Sequence, residues 1–130
     1  MILVDTHVVV WLAFDPGRLS RKAKTAIDDA RRNGEGLAIS DITLLELAVL
    51  VRKQRLKLEI SLEAFLREVE SRFIVFPITS RSCARMSEFP AAYPKDPADR
   101  VIGATALVEG LPLVTADREI RRSRVLPTIW

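Results

Sequence analysis

Residues 1–14 read MILVDTHVVVWLAF, and this segment gives the first indication of the architecture. A short apolar run, Ile2–Val4, ends at Asp5, and an apolar helical stretch follows over Thr6–Phe14. The turn sequence DPG at 15–17 ends that helix. Short β-rich runs and longer helical patterns continue to alternate down the chain. This alternation predicts βαβ units and therefore an α/β fold around a parallel sheet.

The predicted elements follow from the same patterns. Strands are predicted at residues 2–4, 37–39, 73–78 and 113–115, with a possible fifth, edge strand at 125–129. Helices are predicted at 6–14, 21–32, 42–54, 62–72, 80–88, 97–109 and 117–123. Pro127 weakens the fifth strand, because proline cannot donate to a strand ladder. A chain of 130 residues has the size of one domain, so we predict a single domain over 1–130.

Composition excludes several classes of protein. Apolar residues make up 48% and charged residues 28%, which excludes a disordered chain, and the net charge of +3 permits a polyanionic partner without requiring one. Cys83 is the only cysteine, so no intrachain disulfide or thiolate metal cluster can form. No glycine-rich phosphate motif is present. The start lacks a signal peptide's basic region, and no apolar stretch is long enough for a membrane span, so we expect a cytoplasmic protein.

Two acids follow predicted strands. Asp5 comes directly after the first strand, and Asp117 lies two residues after the fourth. Ligands of open α/β sheets bind beyond the carboxyl ends of strands, so both carboxylates would share one crevice if those strands are neighbours. Each also suits a turn or a helix cap without any chemistry.

Glu46 is the only charged residue between positions 42 and 51 of a helix that is apolar nearly all round. Such a helix is buried, and a buried carboxylate needs a cation or an arginine beside it unless its pKa rises. The alternative is that Glu46 points outward through a narrow polar stripe.

Asp96 and Asp99 stand three residues apart at the start of a helix whose first residue is Pro97. Both therefore lie on the first turn. A helix cap with a favourable dipole interaction explains this pair without chemistry, and explains Asp96 better than Asp99.

If Asp5, Glu46, Asp99 and Asp117 stood within about 5 Å of one another, each ionised pair would repel by about 3 kcal/mol at an effective dielectric constant of roughly 20. Six pairs would cost up to about 20 kcal/mol, more than the ~5–15 kcal/mol that stabilises a domain. Some acids would be protonated, or a divalent cation would lie among them. Oxygen ligands favour Mg²⁺ or Mn²⁺ over zinc.

Four segments together resemble the PIN domain, and more narrowly the VapC-type toxin ribonucleases of toxin–antitoxin pairs. They are VDTH at 4–7, ITLLE at 42–46, DPADRVIGATA at 96–106 and TAD at 115–117. The resemblance covers essentially the whole chain, and the block DRVIGATA is its most specific part. It departs at Gly103, where relatives commonly have alanine; we expect glycine there to loosen the helix by up to about 1 kcal/mol.

The resemblance implies a three-layer PIN-like α/β domain, a parallel sheet of four or five strands between helices, that hydrolyses RNA with Mg²⁺ or Mn²⁺. It assigns Asp5, Glu46, Asp99 and Asp117 as the catalytic acids. We expect Asp5, Asp99 and Asp117 to bind the metal and Glu46 to bind or orient its water. Supporting positions are Thr6, Asp96 and Thr115. The resemblance also implies a homodimer and a cognate VapB-like antitoxin.

Basic residues are the expected RNA contacts, among them Arg18, Lys22, Arg118 and Arg121. These clusters also fit ordinary solvated faces. We assign Trp11 and Phe14 to the core or a subunit interface, and His7 to a structural or peripheral role.

Two other functions stay open. A catalytically inactive PIN-like module would bind RNA or protein without cutting; the complete acid set argues against it. A receiver-like signalling module needs a lysine after its last strand, and no lysine follows Lys95.

Overall fold

The computed structural model describes all of residues 1–130 as a five-stranded parallel sheet flanked by helices. The strands are β1 (Ile2–Val4), β2 (Leu37–Ser40), β3 (Ile74–Phe76), β4 (Leu113–Val114) and β5 (Thr128–Ile129). The helices are α1 (Thr6–Phe14), α2 (Arg21–Arg32), α3 (Ile42–Arg52), α4 (Leu62–Arg72), α5 (Ser80–Ser87), α6 (Pro97–Glu109) and α7 (Arg118–Ser123). A single 3-10 turn, Pro16–Arg18, follows α1. None of the helices combines the length and the apolarity needed to span a bilayer.

The strand order is β3-β2-β1-β4-β5, and every neighbouring pair is parallel. The predicted α/β class and the five-stranded sheet are therefore confirmed. β1 lies at the centre between β2 and β4, which makes the first and fourth strands neighbours. The chain leaves β1 and β4 at the same edge of the sheet, so Asp5 and Asp117 start from adjacent positions.

Alternating side chains of the central strands divide the interior into two cores, as expected for a sheet covered on both faces. Ile2 and Val4 pack with α1 to α4, whereas Leu3 packs with α6 and α7. The chain thus forms three layers, with β1 buried on both faces.

Element ends differ from the predictions where local backbone chemistry intervenes. α3 ends at Arg52 rather than at residue 54, and Gln54 takes a left-handed conformation with φ of 59°. β3 is shorter than predicted and ends before Pro77. β5 is confined to two residues after Pro127, whose carbonyl oxygen still accepts a hydrogen bond from Leu113 N.

Gly103 contradicts the expectation that glycine merely loosens α6. The ring of Tyr93 lies directly over the Gly103 Cα, and a Cβ placed there would lie 2.8 Å from Tyr93 Cζ and closer still to the hydroxyl oxygen. The Tyr93 side chain is almost wholly buried, and its hydroxyl donates to the Asp99 carbonyl oxygen at 3.0 Å. Glycine at 103 therefore makes room for a tyrosine that fixes the turn carrying Asp99.

We expect Gly103→Ala to destabilise the protein by about 1–3 kcal/mol, because the overpacking against Tyr93 outweighs the ~1 kcal/mol that alanine gains in a helix. Urea unfolding measures the difference. The same substitution in a Tyr93→Phe background, which lacks the obstructing hydroxyl, should cost less. An alanine variant as stable as the natural chain would show that the tyrosine packing is not what requires glycine.

Candidate active site

A cleft of about 310 Å³ lies at the carboxyl edge of the sheet, where β1 and β4 end side by side. It contains all four acids predicted as catalytic and also Asp96. The lining residues are Asp5, His7, Trp11, Glu46, Asp96, Asp99, Ala116 and Asp117. Segments that are far apart in sequence therefore place five carboxyl groups in one space.

Asp5 is the most buried of these acids, at 7% exposure. It caps α1, with Oδ1 accepting from Thr6 N at 2.8 Å, while Oδ2 accepts from Thr115 Oγ1 at 2.6 Å. Thr115 Oγ1 in turn accepts from Asp117 N at 3.1 Å. The hydroxyl of Thr115 thus fixes the Asp5 carboxylate relative to the turn that carries Asp117.

Glu46 is half-buried on α3 and points into the cleft rather than into solvent. Its Oε1 accepts from Thr6 Oγ1 at 2.6 Å, and Thr6 Oγ1 also lies 3.0 Å from Thr43 Oγ1. Glu46 Oε2 has no protein partner among the hydrogen bonds of the structure. One carboxylate oxygen is therefore fixed and the other is available to a ligand.

Asp117 and Asp96 have the capping roles that their positions also suggested. Asp117 Oδ1 accepts from the backbone N–H groups of Glu119 and Ile120, and Asp96 Oδ1 accepts from Ala98 N. Each cap uses one carboxylate oxygen and leaves the other unpaired. Asp99 makes no side-chain hydrogen bond, so α6 presents a half-buried and unpartnered carboxylate to the cleft.

Electrostatics within the cleft penalise a full set of negative charges. Burial raises the pKa of Asp99 to about 7, and the neighbouring carboxylates of Asp5 and Asp96 add to this rise. Burial likewise raises the pKa of Asp5 and the pKa of Glu46, and in both cases the threonine hydrogen bonds oppose the rise only in part. Without a cation the cleft therefore favours bound protons.

Arg100 is a structural residue that the sequence reasoning missed. Its guanidinium donates to four carbonyl oxygens of the loop before α6, at 2.8–3.3 Å, and it has no acidic partner. The acceptors are those of Phe89, Pro90, Tyr93 and Pro94. The proline-rich composition of 90–97 was the available signal, since such a loop lacks N–H donors and depends on side chains for order. Arg100 and Tyr93 together hold the loop that carries Asp96 and Asp99.

The predicted RNA contacts are all exposed, and they fall into two groups. Arg118 and Arg121 lie on α7, just after Asp117, where with Arg122 and Arg124 they line a pocket of about 380 Å³. Arg18 lies over the Trp11 ring at 4.6 Å, and Lys22 is on the first turn of α2.

Comparison with known proteins identifies the family to which the chain belongs. The model of the PIN domain family matches residues 2–126. Ribonuclease VapC22 of Mycobacterium tuberculosis is 37% identical over 123 residues, which cover 95% of this chain and 92% of that protein. The chain belongs to the PIN domain family.

Solved structures extend the likeness to the fold. VapBC2 from Rickettsia felis, solved with a DNA fragment from its promoter, matches 98% of this PIN domain and 97% of the compared chain, with a TM-score of 0.68 and 22% identity. DNA-bound VapBC from Salmonella typhimurium matches over the same shares, with a TM-score of 0.70 and 23% identity. The predicted three-layer PIN-like fold and the resemblance to VapC-type ribonucleases are both confirmed.

The donor chemistry of the cleft fits a hard divalent cation, since five carboxyl groups supply oxygen ligands and His7 is the only lining side chain with a nitrogen ligand. The arrangement is more open than the sequence argument assumed, because no three acidic side chains stand close enough to hold one ion jointly. Helix caps and threonine hydrogen bonds hold the carboxylates of Asp5, Glu46 and Asp117 at their own positions. Mg²⁺ tolerates such a site, because it commonly keeps several waters and takes only one or two carboxylates.

The raised pKa of Asp99 predicts a pH dependence of stability in the absence of metal. Between pH ~4 and pH ~7 the folded protein binds a proton that the unfolded chain releases, so the free energy of unfolding falls as pH rises through this window. Asp5 and Glu46 act in the same direction. Urea unfolding in EDTA at several pH values measures the trend.

Asp99→Asn is the matched variant, because it keeps the shape and removes the titrating group. The free energy of unfolding of this variant should fall less steeply between pH 4 and pH 7, and the variant should be more stable than the natural chain at pH 8. A stability that rises between pH 4 and pH 7 in EDTA would contradict the assignment of a shared, repulsive carboxylate cleft.

Proposed function

We propose that this chain is an Mg²⁺- or Mn²⁺-dependent endoribonuclease that acts as the toxin of a toxin–antitoxin pair. The observation that carries the proposal is the single cleft shared by Asp5, Glu46, Asp99 and Asp117 in a PIN domain related to a ribonuclease. No single structural role explains why four acids from four separate segments lie in one cleft. A divalent cation bound among these carboxylates would offset the free energy of their mutual repulsion.

Asp5, Asp99 and Asp117 are the residues that would hold the metal, one or two of them as direct ligands and the remainder through waters bound to the ion. When bound, a divalent cation lowers the pKa of a coordinated water and stabilises negative charge on the phosphodiester. Asp5 is rigid, because both of its oxygens accept hydrogen bonds, whereas Asp99 has no internal partner to give up. Thr115 supports this set by joining Asp5 to the Asp117 turn, and Asp96 adds negative charge at the rim.

Glu46 has the geometry of a group that orients the attacking water. Thr6 Oγ1 holds Oε1, so the carboxylate plane is set and Oε2 is left to accept from a water in the cleft. Burial and the charge of Asp5 raise the pKa of Glu46, which makes it a better proton acceptor than an exposed glutamate.

The RNA backbone needs cations close to this acidic cleft. Arg118 and Arg121 follow Asp117 on α7, Arg18 lies over the Trp11 ring, and Lys22 is on the first turn of α2. We assign these four side chains to phosphate contacts outside the cleft, where they would hold the backbone while the acids act on one linkage. Such contacts make RNA affinity fall with salt.

The partners follow from the kinship with VapBC systems. We assign the chain a VapB-like antitoxin whose tail occupies the cleft and its rim, a homodimeric state and a place in the cytoplasm. Growth arrest on expression that the adjacent open reading frame relieves would support this pairing. Unimpaired growth with an active, stably produced chain would count against the toxin role.

Asp5→Asn should abolish metal-dependent cleavage while leaving the fold intact. Asparagine still caps α1, but it removes the charge that the cation needs, so we expect a loss above the ~100-fold that outer-shell substitutions reach. The measurement is cleavage of structured RNA with Mg²⁺ or Mn²⁺, with EDTA as the metal-free control.

Asp28→Asn, an equivalent change at an exposed position on α2, is the matched control and should cut at the natural rate. Natural-rate cleavage by Asp5→Asn would refute the site. Metal-independent RNA binding with no cleavage by the natural chain would instead support the inactive binding module.

A further inference from the structure

The Trp11 side chain lies in the wall of the acid cleft, not in the interior or on an isolated surface. It is half-buried, and it is the only large apolar group among the cleft's lining residues. Trp11 also packs against the core beneath α1, so the predicted core role is confirmed in part and the cleft wall is an additional location. Phe14, one turn further along α1, is 47% exposed and packs against Phe65 instead, with ring centroids 5.7 Å apart.

Neighbouring side chains hold the Trp11 ring in place. The Trp130 ring centroid lies 5.6 Å away and the His7 centroid 6.2 Å away, both at a tilt of 52°. The Arg18 guanidinium carbon lies 4.6 Å from the ring centroid, within cation–π range. A ring anchored in this way loses little further conformational freedom when a ligand stacks on it.

Arg18 is also free to bind a second group. It is exposed and takes part in none of the ion pairs of the structure. A guanidinium that lies on an aromatic ring keeps its edge N–H groups for a phosphate. Trp11 therefore offers an aromatic surface in the cleft wall, and the Arg18 guanidinium against its ring offers a phosphate-binding fork.

Single-stranded nucleic acid offers a binding partner for both the aromatic ring and the guanidinium. An unpaired base offers a planar face for an aromatic ring, and the adjoining phosphate offers charge for an arginine. The carboxylates of the cleft cannot stack on a base face, whereas the Trp11 ring, the larger of the two aromatic rings in the cleft wall, can. A chain of phosphates approaching five acids also needs a nearby cation, which Arg18 supplies.

We propose that Trp11 stacks on one nucleobase of single-stranded RNA beside the scissile linkage, with Arg18 on a neighbouring phosphate. The inference rests on the proposed RNA substrate and adds a subsite to it. It makes the substrate an unpaired segment, because a base within a duplex has no free face to give.

Tryptophan fluorescence tests the stacking directly, since the chain has two tryptophans and Trp130→Phe leaves Trp11 alone. The Asp5→Asn, Trp130→Phe double variant in EDTA is titrated with a short single-stranded RNA and with an abasic RNA of the same length. We expect the natural oligomer to quench Trp11 and the abasic one to bind more weakly without quenching. Equal affinity and no quenching with either oligomer would overturn the proposal and leave Trp11 as a contact for a protein partner.

Affinity measurements by anisotropy on the Asp5→Asn background provide an independent check that does not rely on Trp130→Phe folding. Trp11→Leu should weaken binding of the natural oligomer about 5-fold to about 150-fold, the range of base–aromatic stacking, and Trp11→Phe should restore most of it. Binding of the abasic oligomer should be the same with leucine as with tryptophan. A leucine variant that binds both oligomers as tightly as its parent would overturn the stacking role.

Arg18→Ala separates the two contacts, because it should weaken both oligomers alike and reduce the salt slope by about one phosphate. All of these readouts are made without cleavage. RNA binding that depends on Trp11 in a chain that never cuts RNA would therefore contradict the proposed nuclease activity and leave the stacking site in place. RNA cleavage together with RNA binding that does not depend on Trp11 would contradict the stacking site and leave the nuclease activity in place.

Discussion

Repulsion among carboxylates confined to one half-buried cleft is the constraint on which the rest of the molecule depends. Folding alone gains nothing from bringing Asp5, Glu46, Asp99 and Asp117 together, since each raises the cost of ionising its neighbours. The sheet and helices must supply enough burial on both faces of β1 to offset that cost. Under the proposed function, a bound cation offsets that repulsion and so couples the stability of the domain to the presence of its ligand.

The structure manages this repulsion with fixed local contacts. Threonine hydroxyls hold Asp5 and Glu46, and helix N-termini hold Asp96 and Asp117, so four of the five carboxyl groups keep their places without a metal. Asp99 is the exception, and burial together with the neighbouring carboxylates raises its pKa to about 7. The capping role of Asp117 occupies only Oδ1 and is therefore compatible with the proposed metal-binding role, for which Oδ2 is left.

Much of this arrangement could be predicted from the sequence. Strand-end positions predicted Asp5 and Asp117, an apolar helix with one acid predicted Glu46, and the ordered motifs predicted the PIN fold. The mutual distances could not be predicted, because they depend on side-chain hydrogen bonds such as that from Thr115 to Asp5, across 110 positions of sequence. The open spacing of the acids is a consequence of those bonds. The cleft position of Trp11 was missed for a related reason, since its apolar character is equally typical of a core residue.

The loop before α6 shows how a local rule can mislead. Helix propensity alone assigns Gly103 a small cost, yet the residue admits Tyr93, which with Arg100 orders a loop that has little hydrogen-bonding capacity of its own. Three residues of the block DRVIGATA have separate structural roles, which explains why this block is specific to the fold. Its aspartate faces the cleft, its arginine ties down the loop, and its glycine makes space for the ring above it.

Direct titration with Mn²⁺, followed by paramagnetic resonance at several pH values, tests the central claim that the cleft is a cation site which otherwise holds protons. Affinity should rise from pH 5.5 to pH 8 as Asp99 loses its proton, and Asp5→Asn should abolish binding. Binding that is indifferent to pH and survives Asp5→Asn would contradict the account.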